Sequence, residues 1–153
     1  MSCESLLGKE IENYFYNVLE IKTRKRVIRE KEIRKMYSHI TGIDYLIEHD
    51  NCCYCFQVKW SKKTISNCQI NHFISCMIQL QKEYPPNYKF ISIYISKKKL
   101  SKPANDIKNK SSIELNSIYD EDITIIINKL DYLLHSYKIW TYDEHCDAIM
   151  IIN

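Results

Sequence analysis

Three polar residues stand in an otherwise largely apolar stretch: Asp44, directly after Gly42-Ile43, and Gln57 and Lys59, on either side of Val58. Between them His49-Asp50-Asn51 has the composition of a turn, so the spacing predicts a hairpin with strands over 43–48 and 53–60. Side chains alternate across a strand, so Gln57 and Lys59 share a face while Val58 points the opposite way. An acid, an amide and an ammonium gathered at one sheet edge are costly unless they bind something. A divalent metal and a phosphate are the ligands this set suits.

Other elements must position that hairpin. Residues 5–19 read as a helix, with Leu7, Ile11, Tyr14, Phe15 and Val18 at helical spacing and a serine before them to cap the end. Glu12 lies beside its apolar face, one residue from Ile11. Residues 26–29 fit a basic strand and 30–37 a charged helical turn or loop. Residues 67–83 read as an amphipathic helix carrying Ile70, Phe73, Ile74, Met77, Ile78 and Gln81 along one stripe, stopped by Pro85-Pro86. The near-continuous apolar run 90–95 has the pattern of a strand buried on both faces. A Lys- and Ser-rich loop, a strand over 112–118 and a helix over 122–135 follow, and the apolar patch 148–152 fits a last strand or a packing tail. Helices alternating with strands in this order imply an α/β sandwich with a mixed sheet.

At 153 residues, with 45% hydrophobic and 27% charged residues, the chain suits one globular domain, 1–153, rather than a disordered segment. No apolar run approaches the roughly 20 residues that cross a bilayer. Seven cysteines without a regular framework, and an N-terminus lacking the pattern of a secretory signal, fit reduced thiols in a soluble intracellular protein. A net charge of +3 permits nucleic-acid binding without demanding it. The cations cluster: Lys22, Arg24, Lys25, Arg26 and Arg29, then Lys62 and Lys63, then Lys97, Lys98, Lys99 and Lys102. Each cluster alone reads as a solvated face.

Glu12, with Gly8 four residues before it, then Gly42-Ile43-Asp44 and Gln57-Val58-Lys59, resemble the PD-(D/E)XK, or restriction-endonuclease-like, nuclease superfamily. The likeness extends over residues 5–95 and is nearest to branches that write the last motif as Gln-x-Lys, such as Mrr-type restriction enzymes. Archaeal-type Holliday junction resolvases have a similar layout with an acid at that place. The resemblance implies a restriction-endonuclease-like αβα sandwich around a central mixed β-sheet, and an Mg²⁺- or Mn²⁺-dependent DNA endonuclease. It implies Asp44 as the principal metal ligand, joined by Glu12, the Gln57 amide and the Val58 backbone carbonyl. Lys59 would orient or deprotonate the attacking water and stabilise developing negative charge. The basic segments, with Arg24, Lys25, Arg26, Arg29, Lys62, Lys63, Lys97, Lys98 and Lys99, would hold the DNA backbone. Two-strand cleavage by symmetric copies would call for a homodimer. Two departures stand out: Gln57 replaces the usual acid, and Ile43 the usual proline.

Other classes are weaker. The same fold kept as an inactive DNA-binding or assembly module is the main rival. Cys52, Cys55, Cys68 and His72 match a zinc-type spacing, but Cys52 and Cys55 should lie on opposite strand faces, and buried thiols explain them better. No Gly-rich phosphate loop is present, and the histidines form no pattern with a nucleophile. Trp60, next to Lys59, is expected to pack under the site.

Overall fold

A computed structural model describes residues 3–139. Five strands, β1 (Ile28–Arg29), β2 (Tyr45–His49), β3 (Cys52–Lys59), β4 (Lys89–Ser96) and β5 (Leu115–Tyr119), form one sheet in sequence order. β2 pairs antiparallel with both β1 and β3, while β3, β4 and β5 run parallel. Parallel neighbours need crossovers, and these carry α3 (Asn67–Gln81) and α4 (Lys102–Lys110). α1 (Cys3–Thr23), α2 (Glu30–Met36) and α5 (Ile123–Ser136) complete the described elements.

Alternation along β2 and β3 divides the core in two. Tyr45, Ile47, Tyr54, Phe56 and Val58 pack with Phe15, Val18 and Leu19 of α1 and with Ile126, Leu130 and Leu134 of α5. Leu46, Cys53 and Cys55 face the other way, against Ile33 of α2, Ile70, Phe73 and Met77 of α3, and Ala104 of α4. The result is an αβα sandwich around a mixed sheet, as the sequence pattern implies.

Boundaries shift for local reasons. α1 runs to Thr23 because Lys22 and Thr23 are buried and the Thr23 hydroxyl donates to the Leu19 carbonyl at 2.6 Å. It stops where Arg24 takes a left-handed conformation, φ 54°. The basic strand shrinks to Ile28–Arg29, and the ambiguous 30–37 segment is helix α2. α3 begins with a full capping box between Ser66 and Gln69, and it ends at Gln81, short of Pro85. Its buried stripe includes Cys76 and Leu80, whereas Ile78 and Gln81 are exposed. The expected Lys- and Ser-rich loop contains α4, which the polar composition hid: only Ala104 is buried, and Ser101 caps it ahead of Pro103. The 148–152 patch lies outside the described residues.

β2 and β3 are joined by Asp50 and Asn51 alone, with φ of 50° and 57°. Positive φ at both positions is the type I′ geometry, which matches the strand twist and favours glycine at the second position. Asn51→Gly is therefore expected to raise stability by roughly 0.5 kcal/mol, read as a higher urea midpoint. A lower midpoint would contradict this geometry.

Candidate active site

Asp44 immediately precedes β2 and is only 6% exposed. Its backbone N–H donates to the Phe56 carbonyl at 2.8 Å, although Phe56 is also the residue Tyr45 faces across the β2–β3 pair. Two residues thus address one, the arrangement by which a bulge re-aims a side chain. The Asp44 carboxylate turns onto β3, where its Oδ2 accepts the Val58 N–H at 2.8 Å. Gly42 lets this segment lie against α3: a Cβ there would stand 2.9 Å from both Cys76 Sγ and the His72 ring.

Glu12 arrives from α1, and Tyr45 connects the two parts by donating its hydroxyl to the Glu12 backbone carbonyl. The Glu12 side chain borders two recesses. One, of about 750 Å³, is lined by Lys9, Val58, Lys59, Lys62, Lys63 and Gln69, among others. The other, of about 580 Å³, holds Arg29, Glu30, Arg34 and Asp44. Glu12 therefore stands between a lysine-rich cavity and a mixed one, and Asp44 borders the mixed one.

The Gln-x-Lys strand supplies the remaining groups. The Gln57 Oε1 is buried without a hydrogen-bond partner. Lys59 is exposed at the end of β3, and its positive charge lowers the Glu12 pKa. The Lys59 carbonyl accepts from Lys97 N–H on the β4 side at 3.4 Å. The N–H and C=O of one strand residue project to the same side, and successive residues alternate. The Val58 carbonyl therefore faces Asp44, as its N–H does. An orphaned amide oxygen, a strand carbonyl and two carboxylates are hard oxygen donors, the chemistry Mg²⁺ and Mn²⁺ take. Among the described residues no three His, Cys, Asp or Glu side chains stand together as a metal cluster. A cation here would rely on the amide, the carbonyl and water beside Asp44 and Glu12.

Glu30, unassigned from the sequence, belongs to the same group. Its backbone N–H donates to the Asp44 carbonyl at 3.0 Å, and its side chain hydrogen-bonds with the Asp44 carboxyl. Burial, then Glu12, with Glu30 adding, pushes the Asp44 pKa up to about 8 against the pull of the Val58 N–H. Burial and Glu30 likewise raise Glu12, while Arg29, Lys9 and Lys59 draw it down. Arg34 pairs with Glu30 at 2.5 Å. The signal for Glu30 is its place immediately after the basic strand, at the start of the charged 30–37 segment.

The expected DNA-holding cations occupy different local settings. Arg29 belongs to the carboxylate group: it donates to Asn13 at 2.6 Å and stacks on Tyr16. Arg26 pairs with Glu32 at 2.5 Å, and Lys98 with Glu121. Arg24 and Lys25 follow the end of α1, Lys62 and Lys63 line the larger cavity, and Lys99 lines a separate recess. Trp60 is buried in the α1/α5-side core while touching the larger cavity. Cys52 and Cys55 belong to cores on opposite sheet faces, which separates the zinc-type pair.

No family model and no curated protein sequence matches the chain. Solved structures do. One is a repair endonuclease from Pyrococcus abyssi, 18% identical with a TM-score of 0.51 over 71% of this chain and 46% of that one. Another is EndoMS, in a structure of its complex with double-stranded DNA, 15% identical with a TM-score of 0.52 over 72% of this chain and 44% of that one. The chain has the restriction-endonuclease-like fold. It spans less than half the length of either neighbour.

The raised Asp44 pKa has a stability consequence. Unfolded, the carboxyl loses its proton near its ordinary value of 3.8, and folded it does so at about 8. Between these values the folded protein holds a proton that the unfolded chain has released, so metal-free stability falls as pH rises from about 4 to about 8. In EDTA, urea midpoints should decline across that window, and Asp44→Asn should flatten the decline. The same slope in the variant would contradict the assignment.

Proposed function

We propose that the chain is a metal-dependent DNA endonuclease that hydrolyses phosphodiester bonds. The carrying observation is the buried Asp44 carboxyl fastened to the Gln-x-Lys strand through Val58 N–H and close to Glu12, which itself shares a cavity with Lys59, in a restriction-endonuclease-like fold. The structural neighbours, one a repair endonuclease and the other seen in complex with double-stranded DNA, support DNA as the substrate class.

Asp44, Glu12, Gln57 Oε1 and the Val58 carbonyl would hold Mg²⁺ or Mn²⁺. The ion, when bound, supplies Lewis-acid polarisation of the phosphate and a more acidic water. Asp44 would hold the ion in its ionised form, giving up the proton that burial and Glu12 retain there. The Lys59 ammonium, on the cavity side of Glu12, orients the water for in-line attack and neutralises charge on the phosphoryl oxygens. Gln57 contributes an oxygen but no charge, which leaves Asp44 and Glu12 as the anionic ligands. The lining lysines, Lys9, Lys62 and Lys63, draw the polyanion into the cavity.

Asp44→Ala and Lys59→Ala should each lower Mg²⁺- or Mn²⁺-dependent cleavage of linear or branched duplex DNA by roughly a hundredfold or more, with the folded circular-dichroism spectrum retained. Wild-type rates in both purified variants would refute the proposal. DNA binding by the wild type without cleavage of any substrate would establish the inactive module instead. Cleavage of both strands at wild-type concentrations that favour dimers, and of one strand on dilution, would identify a working homodimer.

A further inference from the structure

We infer that a second phosphate-binding pocket lies on the sheet edge beside the active site, at the start of α4. The recess, about 390 Å³, is lined by Lys99, Ser101, Lys102, Asn105, Lys108 and Ser117, with Leu100 and Tyr119 completing it. Three lysines, three hydroxyl-bearing residues and an asparagine line it, and no carboxylate is among the lining residues. Such a lining selects an anion with several acceptor oxygens. Ser117 is among the lining residues, and its hydroxyl oxygen is buried without a hydrogen-bond partner. The N-terminus of the helix adds little by itself: Pro103 has no N–H, and the Ala104 N–H already donates to Ser101 Oγ at 3.2 Å. The lysines and hydroxyls carry the recognition.

Position gives the pocket its meaning. Lys59 of β3 pairs with Ser96 of β4, and Ser96 pairs with Tyr119 of β5, so the three form one row across the ends of parallel strands. Two strand spacings separate Lys59 from Tyr119, about 10 Å. One DNA strand passing Lys59 can therefore also reach the recess. A backbone phosphate in this pocket would fix the path of the strand whose scissile phosphate lies by Lys59. The pocket as an anion site stands on its own lining, whereas its assignment to DNA rests on the proposed nuclease reading.

Binding in EDTA separates the two claims, since no cleavage is needed. Anisotropy of a labelled duplex oligonucleotide would be followed across a salt series for wild type, Lys102→Ala/Lys108→Ala and Asn105→Asp. Lys82→Ala/Lys89→Ala, which removes the same charge outside the recess, serves as control. The pocket variants should bind about tenfold more weakly near 0.1 M salt, and the lysine pair should flatten the salt slope by about one, both relative to the control. Wild-type DNA affinity and slope in the pocket variants, or equal losses in the control, would overturn the pocket. If the wild type binds no DNA, the nuclease reading fails, and titration with inorganic phosphate decides the pocket. Amide shifts confined to Lys99–Asn105 and Ser117 and lost in Asn105→Asp uphold it, and their absence refutes it.

Discussion

The Val58 N–H to Asp44 Oδ2 hydrogen bond, 2.8 Å long, is the contact on which the rest of the site depends. A carboxylate excluded from water needs a donor in place of solvent, and here that donor comes from the middle residue of Gln-Val-Lys. The bond therefore does two things. It satisfies a buried acid, and it fixes the segment before β2 against the strand that carries Gln57, the Val58 carbonyl and Lys59. Gly42 makes the approach sterically open, because any side chain there would collide with His72 and Cys76 of α3.

Around that contact the chain gathers like charges. Burial first, and then the neighbouring carboxylates, raise the pKa values of Glu12 and Asp44. Arg34 on Glu30 and the charges of Arg29 and Lys59 near Glu12 offset part of that negative charge. Such strain is characteristic of a site that is completed by a ligand, where stability is given up to hold charged groups ready. The tether from Tyr45 to the Glu12 carbonyl has a related role. It ties α1 to β2 across the core, so the helix cannot slide without moving the strand beside Asp44.

Much of this was legible in the sequence, and the exceptions have physical causes. Hydrophobic periodicity located α1, α3, α5 and the β2–β3 hairpin, because each buries a face. The order of Glu12, Asp44 and Gln57-Val58-Lys59 was readable for the same reason: fixed elements carry them at fixed spacings. Glu30 was not, since it follows a two-residue strand too short for alternation to show. α4 was hidden because one buried alanine leaves almost no apolar stripe. The basic clusters were legible only as charge. Charge runs are visible in a sequence but their partners are not, and only the fold shows Arg29 beside the carboxylates and Lys98 paired with Glu121.

The defining property of the proposed site is that Asp44 anchors a divalent cation. Titration of the purified protein with Mn²⁺ at pH 8, followed by the electron paramagnetic resonance of the free ion, measures this without reference to any substrate. Saturable binding to the wild type, lost in Asp44→Asn and weakened in Glu12→Gln, is the predicted result. Equal binding by the wild type and Asp44→Asn, or none by the wild type, would contradict it.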